Sequence, residues 1–293
     1  MQIVIGAPFL AVILALFSER VREFLAKGLG RRPRAIFLAP ALASAFFCLI
    51  VACYGALTLP LALLILAYTF IPSACIFYMG PCRGKAGWMD LAVVLMLWLP
   101  QEFTVGSRWV PKGIQGAVHI AAYGIAITLA LVLFLVFRGL QGMKCNLPRN
   151  ARDLVYPALG FVIAAPVLIL AGRALAFLPP FHVPAHIVTW ATGVRFLTIL
   201  AATALPEEIL FRALIQNWLM QRFGSTNRAL VAAAVVFGSS HLDNGPGPLP
   251  NWRYMLVATV AGIAFGKVFQ KSSSVVSSAG LHALVNTVDH FFF

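Results

Sequence analysis

Long apolar stretches, separated by short polar or basic segments, recur from one end of the sequence to the other. Stretches of this kind suit helices that cross the roughly 30 Å of hydrocarbon in a bilayer. We expect about ten transmembrane helices, drawn from the apolar segments 2–17, 36–54, 58–78, 88–102, 117–137, 154–178, 189–204, 206–222, 228–243, 254–270 and 274–293. We interpret 189–204 and 206–222 as one long helix broken at Pro206, since proline removes a helix-interior hydrogen bond. The predicted fold class is all-α, a polytopic helical bundle.

Composition supports the same interpretation. Hydrophobic residues make up 61% of the 293-residue chain and charged residues only 11%, whereas an average soluble domain is about one quarter charged. The chain therefore has too few charges to form the polar surface of a soluble protein of this length. We expect an integral membrane protein that has the lipid bilayer as its surroundings.

The net charge of +13 has a topological explanation. A nucleic-acid-binding protein would cluster its basic residues on one polar face. Here they lie in short loops that alternate between the apolar segments, which is the positive-inside pattern of membrane proteins. The first such loop is cytoplasmic in this interpretation, both termini are non-cytoplasmic, and nucleic acid is not an expected partner. That loop carries Arg20, Arg22, Lys27, Arg31, Arg32 and Arg34.

Acidic residues, histidines and an arginine concentrate inside the apolar sequence of residues 190–293. Charged groups within hydrocarbon are costly, so each is by default a hypothesis about function. The stretch from Leu205 to Arg212 reads Leu-Pro-Glu-Glu-Ile-Leu-Phe-Arg. Pro206 suits the first turn of a helix, which would place the two carboxylates near the positive end of the helix dipole.

Helical spacing suggests different tasks for the two glutamates. Glu208 and Arg212 are four residues apart, so they share a helix face and can form an ion pair. Glu207 is rotated by about 100° from Glu208 and is left free to act as a base. The alternative is that all three residues form one structural ion cluster that holds helices together.

Two further stretches carry histidines. Phe237-Gly-Ser-Ser-His241 ends a predicted helix, where a single histidine is often only an interfacial side chain and small residues allow close helix packing. His282 and Asn286 are four residues apart on the last predicted helix and share one face. The alternative role for Asn286 is an ordinary hydrogen bond between helices.

The three motifs together, Glu-Glu-x-x-x-Arg, Phe-x-x-x-His and His-x-x-x-Asn, occur in this order on successive apolar segments. In order and spacing they resemble the CPBP family, which contains the type II CAAX prenyl endopeptidases and the bacterial Abi-type proteins. The resemblance covers roughly residues 190–290. It implies that Glu207 is the catalytic glutamate and that His241 helps to activate water. It also implies that His282 and Asn286 stabilise the oxyanion, and that the remaining motif positions are Glu208, Arg212 and Phe237.

The resemblance implies an intramembrane endopeptidase that acts on a peptide or membrane-protein substrate, in the bacterial inner (plasma) membrane. Residues 154–293 would form its protease core, and residues 1–153 would be N-terminal transmembrane helices of unassigned role. A zinc site remains open, because two histidines and a carboxylate can bind zinc, with water as the fourth ligand; the ligands would be Glu207, His241 and His282. We favour a cofactor-free mechanism, because Asn286 is a poor zinc ligand and a good oxyanion donor.

Two other functions are compatible with a helical membrane protein. One is a non-enzymatic immunity or scaffold protein of the same fold, although the complete set of motif residues argues against a degenerate copy. The other is a transporter that uses its buried charges as a relay. Transporters often contain internal repeats, and none is visible in the sequence.

Overall fold

The computed structural model describes residues 2–82, 84–183, 190–245 and 248–293, with backbone only at residues 2 and 3. Every regular element in these ranges is a helix, so the all-α prediction is confirmed for the described residues. The first residue of the predicted segment 189–204 lies outside them. The chain forms two compact units, Met1–Gly142 and Met143–Phe293.

The first unit contains six α-helices within its described residues. They are α1 (Gln2–Phe17), α2 (Glu19–Arg31), α3 (Leu38–Cys53), α4 (Leu59–Met79), α5 (Trp88–Glu102) and α6 (Gln115–Ala130). The backbone after α6 continues as wider π-helical turns through Leu131–Phe137. Apolar side chains of α3, α4 and α6 form the core of this unit, including Phe47, Leu61 and Val118.

A buried ion pair joins the beginning of α5 to the end of the α6 segment. Arg138 donates from Nε and Nη2 to the two carboxylate oxygens of Asp90, each at 2.9 Å, and from Nη1 to the carbonyl of Gly80. Asp90 also accepts a hydrogen bond from the Gly87 backbone N–H at 2.7 Å. Because each charge is paired and hydrogen-bonded, both can lie inside this unit.

The second unit contains the remaining helices and all the motif residues. Its described α-helices are α7 (Arg152–Ala174), α8 (Trp190–Ile199), α9 (Leu205–Glu208), α10 (Asn217–Phe223), α11 (Asn227–Ser239), α12 (Trp252–Lys271) and α13 (Val275–Phe292). Two π-helical stretches, Leu200–Ala204 and Ile209–Gln216, connect α8 to α9 and α9 to α10. The backbone is thus helical without interruption from Trp190 to Phe223.

The prediction that this helix breaks at Pro206 is therefore wrong. A proline lacks the N–H for the usual bond and crowds the carbonyl four residues earlier. A π-helical turn has a wider, five-residue hydrogen-bond spacing, and the one at Leu200–Ala204 leaves room for the proline ring. The glutamate motif consequently lies in the middle of a helix. The predicted proximity of Glu207 and Glu208 to a helix N-terminus is wrong for the same reason.

The hydrophobic helices support an integral membrane protein, although the figure of about ten transmembrane helices is not confirmed. Within the described residues, five helical segments are long and apolar enough to cross a bilayer: Pro33–Cys53, Leu59–Met79, Lys112–Phe137, Arg152–Ala174 and Trp252–Lys271. The bent pair formed by α1 and α2 would bring the number to six. Other apolar segments are short helices, such as α5 with 15 residues and α11 with 13.

The segment between residues 143 and 153 is tied to the α12–α13 connection in the second unit. Lys144 donates from Nζ to the carbonyls of Phe269 at 2.6 Å and Ser272 at 2.8 Å, which caps the end of α12. Asp153 accepts from the backbone N–H of Ser273 at 2.7 Å. The functional division of the chain at residues 153 and 154 remains a prediction.

Candidate active site

Glu207, His241, His282 and Asn286 all line one cavity of about 150 Å³ in the second unit. They come from three places in the sequence: the long helix 190–223, the residues after α11, and α13. The walls around them are mainly apolar side chains of α7, α12 and α13, such as Phe161, Leu168, Val257, Ala261 and Val285. The geometry thus combines a few convergent polar groups with apolar walls, which is typical of binding and catalytic pockets.

Glu208 and Arg212 form an ion pair behind the cavity. Arg212 donates from Nε to Glu208 Oε2 at 2.9 Å, and both side chains are fully buried. The guanidinium also lies over the ring of Phe237, 4.8 Å from its centroid. Its two Nη atoms have no hydrogen-bond partner among the described residues, so contact with the aromatic face compensates part of the lost solvation. The predicted pairing across one helical turn is present.

His282 bridges the two glutamates. Its Nδ1 lies 3.2 Å from Glu208 Oε1, and its Nε2 lies 3.8 Å from Glu207 Oε2. The imidazole is buried and stacks on Phe265, with ring centroids 4.6 Å apart. Since a carboxylate can only accept, the short contact requires that His282 Nδ1 carries the proton and donates to Glu208. Glu208 therefore orients both Arg212 and His282.

Glu207 occupies a different position from its neighbour. Its side chain is 23% exposed, whereas that of Glu208 is fully buried. It lines the cavity, and its ion-pair distance to His282 is the longer one, at 3.8 Å. The Glu208 carboxylate thus contacts Arg212 and His282, whereas the Glu207 carboxylate faces the cavity, which a reactant could enter.

His241 lies just beyond the last residue of α11, and its ring is enclosed by aromatic residues. Its Nδ1 is 3.0 Å from the carbonyl of Phe237 and 3.2 Å from Ser240 Oγ. Because the carbonyl can only accept, Nδ1 carries the proton and Nε2 keeps its lone pair. The ring of Phe237 lies 4.8 Å away on one side and that of Tyr254 lies 4.6 Å away, both in edge-to-face geometry.

Asn286 lies one helical turn after His282 on α13 and is half-buried. Its amide lines the cavity and forms no hydrogen bond with any described residue. The amide is therefore free to hydrogen-bond to a molecule in the cavity.

Phe237 is the residue that links these groups. Its ring contacts Arg212, His241 and, at 5.8 Å between centroids, His282. Gly262 makes this packing possible, because a Cβ at that position would lie 3.1 Å from the Phe237 ring. The motif phenylalanine is thus a shared support for the ionic and histidine side chains.

Sequence reasoning missed several residues that line the site. Tyr254, Phe265 and Asp289 line the cavity, as do several apolar residues of α7. None belongs to a spaced motif, and each lies in or next to a long apolar run. Tyr254 and Phe265 carry no signal that distinguishes them from ordinary packing residues, whereas Asp289 is an acidic residue within apolar sequence and could have been considered on that ground.

Among the described residues, no group of three histidine, cysteine or carboxylate side chains is arranged to hold a metal ion. The possible zinc ligands Glu207, His241 and His282 therefore do not form a ligand set in this arrangement. The Nδ1 atoms of His282 and His241 contact Glu208 and the Phe237 carbonyl, and such contacts leave both Nε2 atoms available.

The chain was compared with known protein families. Residues 189–288, about a third of the chain, match the family described as Rce1-like, type II CAAX prenyl endopeptidase. The matched range contains every motif residue from Glu207 to Asn286. No curated protein and no solved structure matches the chain.

Proposed function

We propose that this protein is an intramembrane endopeptidase. The premise is that residues 189–288 belong to the family of Rce1-like, type II CAAX prenyl endopeptidases. The protein would hydrolyse a peptide bond at or within the bilayer with water activated by a glutamate and a histidine. The observation that carries the proposal is the contrast between the two glutamates. Glu208 is occupied by Arg212 and His282, whereas Glu207 lines a cavity together with His241 and Asn286.

In this proposal Glu207 and His241 hold the attacking water. Glu207 accepts a proton from the water, and the lone pair on His241 Nε2 accepts a hydrogen bond that orients it. The water oxygen then bonds to the carbonyl carbon of the substrate. When the C–N bond breaks, Glu207 returns the proton to the leaving amine, so the products are a carboxylic acid and an amine.

The oxygen of the tetrahedral intermediate requires donors. The Asn286 amide supplies one, and a doubly protonated His282 would supply the other from Nε2 while its Nδ1 donates to Glu208. The Glu208–Arg212 pair keeps the imidazole in place and takes no part in proton transfer.

Tyr254 and Phe237 position His241. His241 lies beyond the end of α11, so no helical turn restrains its side chain. The two aromatic rings and the hydrogen bond to the Phe237 carbonyl restrain it instead. This restraint keeps Nε2 directed to the water position, which matters because small misplacements reduce rates strongly.

The apolar walls favour a substrate with hydrophobic side chains next to the scissile bond. We propose that this substrate is a peptide or membrane protein that reaches the cavity from the bilayer, with no role for nucleic acid. The location we propose is the bacterial inner membrane, in which a bundle of about ten helices would embed the site. No metal cofactor is part of this proposal.

A cleavage assay with two matched variants tests the proposal. The purified protein is incubated with fluorogenic hydrophobic peptides, and Glu207→Gln is compared with Asp243→Asn, an exposed carboxylate two residues after His241. Glu207→Gln should fold normally and lose at least the ~10²–10⁴-fold typical of acid–base groups, while Asp243→Asn keeps wild-type turnover. A Glu207→Gln protein with unchanged turnover would refute the assignment of the base. A wild-type protein that cleaves none of a broad peptide set would favour the immunity or scaffold alternative.

A further inference from the structure

Helix α2 in the first unit turns sharply away from α1. The two axes differ by 88°, and no residue of α2 is buried. Ser18 is extended between them, with φ of −77° and ψ of 124°. Arg22 donates from Nη1 to the carbonyl of Leu16 at 2.9 Å. This hydrogen bond pairs a backbone carbonyl at the end of α1 and stabilises the bend. If α1 lies across the bilayer, the 88° turn directs α2 along the membrane surface.

The composition of α2 agrees with a position outside the hydrocarbon. Six of its 13 residues are charged, in the sequence Glu-Arg-Val-Arg-Glu-Phe-Leu-Ala-Lys-Gly-Leu-Gly-Arg. Charged side chains are expensive in the bilayer core, so α2 is unsuited to continue the span begun by α1. A helix with both charged and apolar residues is suited to the interface between water and lipid.

One face of α2 combines cations with an aromatic ring. Helical spacing brings its members within about 60° of one another, and we call this surface the Phe24 face: Arg20, Phe24, Lys27 and Arg31. Phe24 is 77% exposed, and the three cations are exposed. The cations form no hydrogen bond or ion pair with described residues. Val21 and Leu29, by contrast, are half-buried, whereas the Phe24 face is exposed along its whole length.

We propose that the Phe24 face binds anionic phospholipids at the cytoplasmic surface of the membrane. The cations would pair with headgroup phosphates, and the ring of Phe24 would enter the boundary with the acyl chains. Residues 18–34 carry six cations against two acids, a net charge of +4. Positive-inside topology puts this loop on the leaflet rich in anionic lipid. Three like charges disfavour pairing with the same face of a second copy.

Hydrogen–deuterium exchange tests this proposal on the whole protein. The protein is reconstituted in nanodiscs of phosphatidylcholine alone and of a phosphatidylcholine–phosphatidylglycerol mixture, and exchange is followed in peptides covering residues 19–31. Headgroup binding should slow exchange of α2 by about tenfold or more in the anionic nanodiscs. High salt should remove most of the difference, because exposed charges are screened.

Two sets of substitutions separate specific binding from general charge effects. Arg20→Gln, Lys27→Gln and Arg31→Gln together should abolish the lipid-dependent difference. Arg108→Gln with Lys112→Gln, two exposed cations elsewhere in the first unit, should leave it intact. Equal exchange in both kinds of nanodisc would overturn the proposal, and so would salt-insensitive protection, which indicates a segment buried in the membrane. The proposal would also be overturned if the Arg108→Gln, Lys112→Gln control lost the lipid-dependent difference in exchange to the same extent. The salt series on the unmodified protein decides the question even if the triple variant fails to fold.

Discussion

Removal of the Arg212 side chain is expected to destabilise the second unit strongly. Arg212 and Glu208 are both fully buried, at 2.9 Å from one another, and the guanidinium also contacts the ring of Phe237. Breaking one partner of a fully buried pair costs about 3–5 kcal/mol, because the other charge is left uncompensated. Glu208 keeps its contact with His282 in Arg212→Ala, so we expect a value near the lower end of that range.

Thermal unfolding in detergent micelles measures this effect. For a unit of this size each kcal/mol shifts the midpoint by about 2–4 °C, so a cost near 3 kcal/mol lowers it by roughly 6–12 °C. Arg228→Ala serves as the matched control, since Arg228 is exposed and surface substitutions usually change stability by less than about 0.5 kcal/mol.

A double substitution tests the physical reason. Glu208→Gln combined with Arg212→Met removes both charges and keeps most of the volume, so it should cost less than Arg212→Ala alone. If Arg212→Ala melts within about 2 °C of the wild type and cleaves peptides at the wild-type rate, then the pair does not stabilise this unit. A double variant less stable than Arg212→Ala would show that the uncompensated charge is not the cause.

Three further outcomes are expected. Tyr254→Leu should lower kcat by about tenfold or more with little change in KM, because His241 loses the aromatic ring that restrains it. Tyr254→Phe keeps the ring and should keep activity. Trp252→Leu, on the same helical turn, is the control. Gly238→Ala should destabilise the unit by about 1–3 kcal/mol in thermal unfolding, since its Cβ would approach the backbone carbonyl of Met255 at 2.6 Å. Gly28→Ala is the control and should not destabilise the protein, because no atom lies within 4 Å of the added Cβ. Chelators should leave peptide cleavage unchanged, and loss of activity that returns with zinc would instead support a metal site.

Features that depend on a few neighbouring residues were predictable from the sequence. The apolar segments predicted membrane helices, because a helix must carry mostly apolar side chains to lie in hydrocarbon. The spacing of Glu208 and Arg212 predicted their ion pair, because residues four apart share a helix face. The order of the three motifs predicted a resemblance to CAAX-type proteases, and residues 189–288 match the Rce1-like family. The roles of the individual residues in catalysis remain predictions.

The interpretation of Pro206 shows where local reasoning failed. A proline usually marks a helix start or a break, and both expectations followed from sequence alone. Whether the chain instead absorbs the proline with a wider π-helical turn depends on the packing of the surrounding helices. That packing keeps residues 190–223 in one continuous helix and removes the helix N-terminus from the glutamates.

Only the tertiary structure decided which groups meet. Glu208 contacts His282 across 74 residues of sequence, and Tyr254 supports His241 without belonging to any motif. Helix-face arguments work in soluble proteins because the outward face is polar and the inward face apolar. In this protein both the lipid-facing and the inward faces are apolar, so the hydropathy pattern does not indicate which face of each helix points inward. The rotation is set by the shapes of the side chains in contact, and for that reason the partners of Phe237, Tyr254 and His282 emerge only from the packed structure.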